Sequence, residues 1–200
     1  MLIAAMCMTS VMTLAQDIIR VSTDKTDLVM KVSPKGRLYQ VYLGDKFLNP
    51  ADYNNLKWDV YAASDGSVCQ RGHEVYATSG AEDFFEPAVA VTHADGNMTT
   101  YLYYQSSEQK AVKGGTETII TLKDKVYPLT VKLHYVAYAK ENVIKAWSEI
   151  SHKEKAPITL WRYSSTMLYF KANKYFLTNY HSDWAKEGQP ETTQLSTGKK

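Results

Sequence analysis

The chain has 200 residues, 44% of them hydrophobic and 22% charged. A chain of this kind buries enough apolar surface to order itself, so wholesale disorder is excluded. The formal net charge is only +2, and the basic residues are scattered, with Lys199-Lys200 the longest cluster. Neutralising phosphates needs Lys and Arg gathered on one stripe, so no nucleic-acid partner is expected.

Met1–Ala15 carry no charge and read as the apolar region of a secretory signal. Thr13 and Ala15 offer small residues where a signal peptidase inspects, which makes Gln16 the first mature residue. The basic segment that should precede the apolar run is missing, so the signal is expected to be truncated at its N-terminus. The run is shorter than the ~20 residues of a membrane helix, and no membrane span is expected. A buried first strand or helix is the other reading. Cys7 lies inside this run without the small residue before it that a lipoprotein signal requires. Cys69 is then alone in the mature chain and forms no intrachain disulfide. No CxxC or Cys/His spacing points to zinc, and no metal site is expected.

From there strand signals dominate. Leu28–Val32 and Arg37–Leu43 flank Ser33-Pro34-Lys35-Gly36, a turn-forming tetrapeptide. Asn49–Asn55 reads either as loop or as a short helical turn. Thr99–Gln105 and Thr116–Leu122 are rich in Thr, Tyr, Ile and Leu, which suit a pleated surface. In Leu129–Tyr138, residues Leu129, Val131, Leu133, Tyr135 and Ala137 fall on one face, the period-two pattern of a half-buried strand. Val143–Ile150 and Ile158–Tyr163 are strands by propensity, and Met167–Leu177 extends the series. Asp65-Gly66, Asp95-Gly96-Asn97, Gly114-Gly115 and Lys140-Glu141-Asn142 supply turns between runs. Trp58, Trp147 and Trp161 read as core. Tyr101 and Tyr103 share one strand face and Tyr104 takes the other. These features predict an all-β, antiparallel sandwich of long strands over 16–200.

From Thr178 the chain turns polar and turn-rich, and His181–Gly198 reads HSDWAKEGQPETTQLSTG. This segment resembles the motif near the end of the N-terminal β domain of the α-galactosidases of glycoside hydrolase family 36. His181, Trp184, Glu187, Leu195 and Gly198 stand in the motif's places, and Ser182 replaces its glycine. Glu82–Ala88 is similar to the family's Gly-Asp-x-Arg-x-Pro-Ala segment through Asp83, Pro87 and Ala88, with Glu82 and Phe85 as departures. Leu129–His152 resembles the family's strand pair, with Ala146 for arginine and His152 for asparagine. Arg37–Gly44 resembles its early strand ending in Leu-Gly.

The resemblance implies a galactose-mutarotase-like β-supersandwich followed, after residue 200, by a TIM-barrel catalytic domain. It implies an exported enzyme, periplasmic or extracellular, that removes terminal α-galactose from oligosaccharides with retention and needs no cofactor. Retaining hydrolysis uses two carboxyl groups ~5–5.5 Å apart. In the family both lie in the barrel, so this chain alone is expected to be inactive, with no catalytic residue of its own. Its expected partners are the barrel, α-galactoside oligosaccharides bound through the full enzyme, and further copies in a homo-oligomer.

Asp83 is the candidate for touching the galactose pocket, because a carboxylate accepts two sugar hydroxyls at once. A surface acid is the plain alternative. Trp184 is either a sugar platform or an anchor that packs the sandwich against the barrel, and the anchor is preferred; His181 and Glu187 join it as domain-interface residues. The competing expectation for the whole chain is a stand-alone carbohydrate-binding or assembly sandwich without catalytic activity. No nucleophile-elbow motif supports a serine hydrolase.

Overall fold

The computed structural model describes residues 18–57, 73–80, 86–172 and 174–196. The chain divides into two compact units, Met1–Tyr169 and Phe170–Lys200. The expected signal run, Cys7, Trp58, Asp65-Gly66, Cys69, Asp83 and Gly198 lie outside the described residues.

The first unit is an antiparallel β-sandwich. One sheet has the order β1 (Ile18–Ser22), β2 (Thr26–Val32), β3 (Leu38–Asp45). Between β2 and β3 the chain turns at Gly36, whose φ of 79 is a conformation that glycine adopts without Cβ strain. After β3, Pro50–Asn55 form a 3₁₀ turn, capped by the Asn49 side chain accepting from the Ala51 N–H at 3.1 Å. Of the two readings of this stretch, the helical turn is the observed one.

The second sheet runs in sequence order through β5 (Leu102–Val112), β6 (Gly115–Asp124), β7 (Leu129–Tyr138) and β8 (Val143–His152). Between β3 and β5, β4 (Val89–Thr92) pairs antiparallel with β9 (Thr159–Tyr163). Short hairpin turns fix each register, for example Leu133 opposite Ser148 and Ile120 opposite Leu133.

The core forms where these sheets face one another. Ile19, Val21, Leu28 and Met30 come from the first sheet, Val89 and Val91 from β4, and Ile120, Leu122, Leu129, Val131, Leu133, Tyr135 and Ala137 from the second. The alternation along β7 is the one its sequence dictates. Each fully buried Val or Leu contributes about 1.5–3 kcal/mol over exposure. Burial pushes the Tyr135 phenol up to about 12.

The opposite face of β7 is also covered in part. His134 is buried there, stacked on Trp147 with centroids 4.7 Å apart, and its Nδ1 lies 2.7 Å from Glu117 Oε1. The His134 bond, then Lys110, holds the Glu117 carboxyl below the usual range against the opposing effect of burial.

The second unit carries a two-stranded hairpin, β10 (Phe176–Asp183) and β11 (Lys186–Gln194). Sequence reading takes this stretch as irregular and extends strand over Met167–Leu177. In the structure β10 begins only at Phe176. The hairpin is almost wholly exposed, so no buried face imposes alternation on its sequence.

Candidate functional site

Three of the residues singled out by sequence stand on the hairpin of the second unit. His181 lies opposite Gln189 on β11, and its Nε2 pairs with the Glu191 carboxylate. Asp183 is opposite Lys186, leaving Trp184 and Ala185 as the two-residue turn. Ala185 takes a φ of 59, the left-handed conformation such hairpin turns require. The Trp184 N–H donates to Asp183 Oδ1 at 2.7 Å. Its side chain is 92% exposed. Glu187 lies one residue into β11 and is also exposed. The hairpin thus brings His181, Trp184 and Glu187 to one end of one element. Leu195 follows it, its N–H donating to the Tyr175 carbonyl at 2.8 Å.

Asp83 lies outside the described residues, but the residues flanking its segment are well held. Thr78 and Val89 form a parallel bridge. Ser79 N–H donates to the Val89 carbonyl at 3.1 Å, and Ala88 N–H to the Ala77 carbonyl at 2.8 Å. The Thr78 hydroxyl donates to the Thr100 carbonyl at 2.5 Å. Gly80 presses on Thr99: a Cβ there would stand 2.9 Å from Thr99 Cα. Glu86, on the far side, pairs with Arg162 of β9.

A buried histidine organises the neighbouring turns. His93 Nδ1 lies 2.8 Å from Glu154 Oε1, and Nε2 lies 2.9 Å from the Thr100 hydroxyl. A carboxylate only accepts, so Nδ1 carries a proton. Tyr127 stacks on the imidazole with centroids 3.5 Å apart, and its hydroxyl donates to Asp95 Oδ2 at 2.9 Å. This Glu–His–Thr chain has the order of a nucleophile relay, yet Thr100 is fully buried. Its hydroxyl cannot meet a substrate, so the chain ties loops together. The Asn97 N–H, then the Tyr127 hydroxyl, hold the Asp95 carboxyl below the ordinary range.

A second buried ion pair joins the start of β3 to the residues before Thr78. Arg37 binds Glu74 through Nε at 2.5 Å and Nη2 at 2.7 Å. The rings of Tyr101 and Tyr103 both face its guanidinium, at 5.5 and 5.4 Å. These two tyrosines therefore share one face, as their spacing predicts. Neither His93 nor Arg37 is singled out by sequence reading. Each stands just beyond the end of a strand, and its partner is tens of positions away.

An open cleft of 570 Å³ lies between β1 and the β5–β6 ribbon, lined among others by Arg20, Ser107, Glu108, Gln109 and Thr118. Gln109 Nε2 bridges its walls, donating to the Arg20 carbonyl at 2.9 Å and to the Thr118 hydroxyl at 3.0 Å. Among the described residues that line it, Glu108 is the one carboxylate, and a glycosidase needs a pair. Among the described residues no three His, Cys, Asp or Glu side chains are grouped to hold a metal ion. No helix among them is long and apolar enough to cross a membrane.

Known proteins supply a context for these features. The family model described as the glycosyl hydrolase family 36 N-terminal domain matches residues 36–200. The structure is similar to an α-galactosidase from Lactobacillus brevis, with a TM-score of 0.76 at 20% identity over 92% of this chain and 28% of that one. The galactosidase domain of an α-galactosidase–sucrose kinase gives 0.77 at 21% identity, over 92% and 28%. A variant α-galactosidase from Geobacillus stearothermophilus, solved with raffinose, gives 0.76 at 22%, over 91% and 28%. At these identities the likeness speaks for the fold. The chain spans little more than a quarter of the length of each. Among curated proteins none matches the sequence.

Proposed function

We propose a function from one premise: this chain belongs to the glycosyl hydrolase family 36 N-terminal domain. It is the accessory domain of an exported α-galactosidase that hydrolyses terminal α-galactosyl residues of oligosaccharides with retention. The carrying observation is the family match from residue 36 to residue 200, which includes the strands of the sandwich from β3 onward and the hairpin with His181, Trp184 and Glu187.

In this reading the nucleophile and the acid/base belong to a barrel in the remainder of the polypeptide, which takes ~250 residues. The sandwich contributes support, one rim of the active site and oligomer contacts. His181, Trp184 and Glu187 pack the hairpin against the barrel, with Trp184 as the anchor. An exposed indole at a hairpin tip favours this role, since Trp is a frequent buried residue of interfaces. Asp83 accepts sugar hydroxyls at the galactose pocket. Thr78–Gly80 before its segment and Glu86–Val89 after it are held by hydrogen bonds and an ion pair.

The test is hydrolysis of an aryl α-galactoside by the purified 200-residue chain and by the protein from the extended reading frame. Activity in the extended protein alone supports the accessory role. Turnover by the 200-residue chain places the carboxylates within it and ends the proposal. If both are inactive, a stand-alone binding sandwich becomes the better reading. Asp83→Asn in the active protein is expected to lower kcat/KM at least tenfold; an unchanged value removes Asp83 from the pocket.

A further inference from the structure

In the first unit most exposed large apolar residues stand singly. Leu48, Met98 and Val126 sit in loops, and Val143 begins a strand. Strand β9 is different. All five of its residues are exposed, and three of them, Leu160, Trp161 and Tyr163, are large and apolar. Trp161 is 67% and Tyr163 71% exposed. Sequence reading places Trp161 in the core, and propensity alone would bury it.

The strand is built to present that indole. Ala90 pairs with Arg162 and Val91 with Leu160, so a β-bulge leaves Trp161 as the extra residue between them. Bulges re-aim side chains in this way. The Trp161 indole N–H then donates to the Thr92 hydroxyl at 2.7 Å, which fixes the ring while its face stays open. Arg162 pairs with Glu86 beside it. Trp, Tyr and Arg are the residues that dominate interface energetics, and a ring already fixed loses little entropy on docking. A two-stranded ribbon with apolar residues exposed along its edge is also a hazard unless something covers it.

We infer that β9 is a docking strand for the catalytic portion of the same polypeptide, with Trp161 as its central anchor. The inference rests on the accessory-domain reading. Two observations select this occupant over a sugar or a second copy. The match covers only 28% of each structural relative, so in proteins of that size most of the polypeptide lies elsewhere. Three of the five exposed residues of this one strand are large and apolar, and Arg162 beside them is already paired with Glu86, which suits a protein surface better than a hydroxyl-rich ligand.

The experiment is backbone hydrogen exchange over Thr159–Tyr163 in the 200-residue chain and in the extended protein, with thermal unfolding of both. Exchange over β9 is expected to slow at least a hundredfold in the extended protein, independent of protein concentration and of added oligosaccharide. Trp161→Ala is expected to lower the Tm of the extended protein and to undo at least tenfold of that slowing. It should shift the 200-residue chain by less than about 2 °C. Leu48→Ala, in an exposed loop, should shift neither. Equal exchange in the two proteins overturns the inference. So does protection that appears only at high concentration, which indicates a second copy, or only with oligosaccharide, which indicates a sugar site. A reading frame that stops at Lys200 overturns it as well. An extended protein that protects β9 but lacks α-galactosidase activity keeps the docking strand and ends the functional reading.

Discussion

His93 and Glu154 are joined by a 2.8 Å bond between Nδ1 and Oε1, with both side chains buried and 61 positions apart in the chain. Glu154 also accepts from the Ala94 N–H at 2.8 Å, so one carboxylate closes the turn after β4 onto the loop after β8. Burial alone would raise the Glu154 carboxyl; the Ala94 N–H and His93 outweigh it and hold the group below its ordinary value. A depressed folded value stabilises the fold above the unfolded carboxyl value of ~4.3, and that stability disappears as pH falls through the folded value. Glu154→Gln is therefore expected to cost about 1–3 kcal/mol at pH 7 and to flatten the decline in stability below about pH 4. Urea midpoints measured from pH 3 to 7 check both parts. A variant with the wild-type slope would mean that Glu154 contributes nothing to acid sensitivity.

Arg37 and Glu74 pose the opposite design. Their two-pronged bond is buried, so removing one partner leaves a charge without compensation. Glu74→Ala should cost about 3–5 kcal/mol. Replacing both by apolar residues, Arg37→Met with Glu74→Leu, should recover most of that loss. If the double variant is as unstable as the single one, the pair is needed for the packing of Tyr101 and Tyr103 and not only for mutual neutralisation.

The sequence shows the sandwich most clearly where burial alone decides it. Along β7, Leu133 is fully buried and Lys132 is exposed, as the period of two demands. Leu133→Ala is expected to cost about 2–5 kcal/mol, and Lys132→Ala less than about 0.5 kcal/mol. Equal effects measured by chemical denaturation would contradict the assigned faces.

Legibility fails where pairing, not burial, makes the strand. Ser106–Val112 of β5 is polar and exposed, and is strand because it lies in register with Gly115–Thr121. The hairpin β10–β11 is strand for the same reason, so it reads as loop in a one-dimensional pattern. β1 and β4 have five and four residues, too short for a period to show. The family motif nonetheless marks the hairpin, since His181, Trp184 and Glu187 carry it whatever their backbone does. His93 and Arg37 bear no such mark, because their partners are joined to them only by the fold.

Gly80 tests how firmly the segment before Asp83 is held. Its φ is 76, and a Cβ would meet Thr99 backbone at 2.9 Å. Gly96 has a similar φ of 88 with open space around it. Gly96→Ala should therefore cost about 1 kcal/mol for conformation alone, whereas Gly80→Ala adds displacement of Thr99 and should cost at least about 2 kcal/mol. Comparable losses in the two variants would show that the Thr99 backbone gives way freely, and that the segment is not fixed from this side.

Trp184 separates an anchor from a sugar platform by the way its loss is felt. At 92% exposure the indole makes little contact within the 200-residue chain, so Trp184→Ala should change that chain's stability by less than about 0.5 kcal/mol. An anchor buried by the barrel in the extended enzyme would be a hot spot whose truncation costs about 2 kcal/mol or more. Its loss then lowers Tm, with KM little changed. A platform that binds ground state and transition state alike raises KM and leaves kcat and Tm as they were. The anchor is the outcome we expect, because Asp183 and the left-handed Ala185 fix the backbone beneath the ring rather than the ring itself. A change in neither Tm nor KM would remove Trp184 from both roles and leave the motif's tryptophan without a function in this chain.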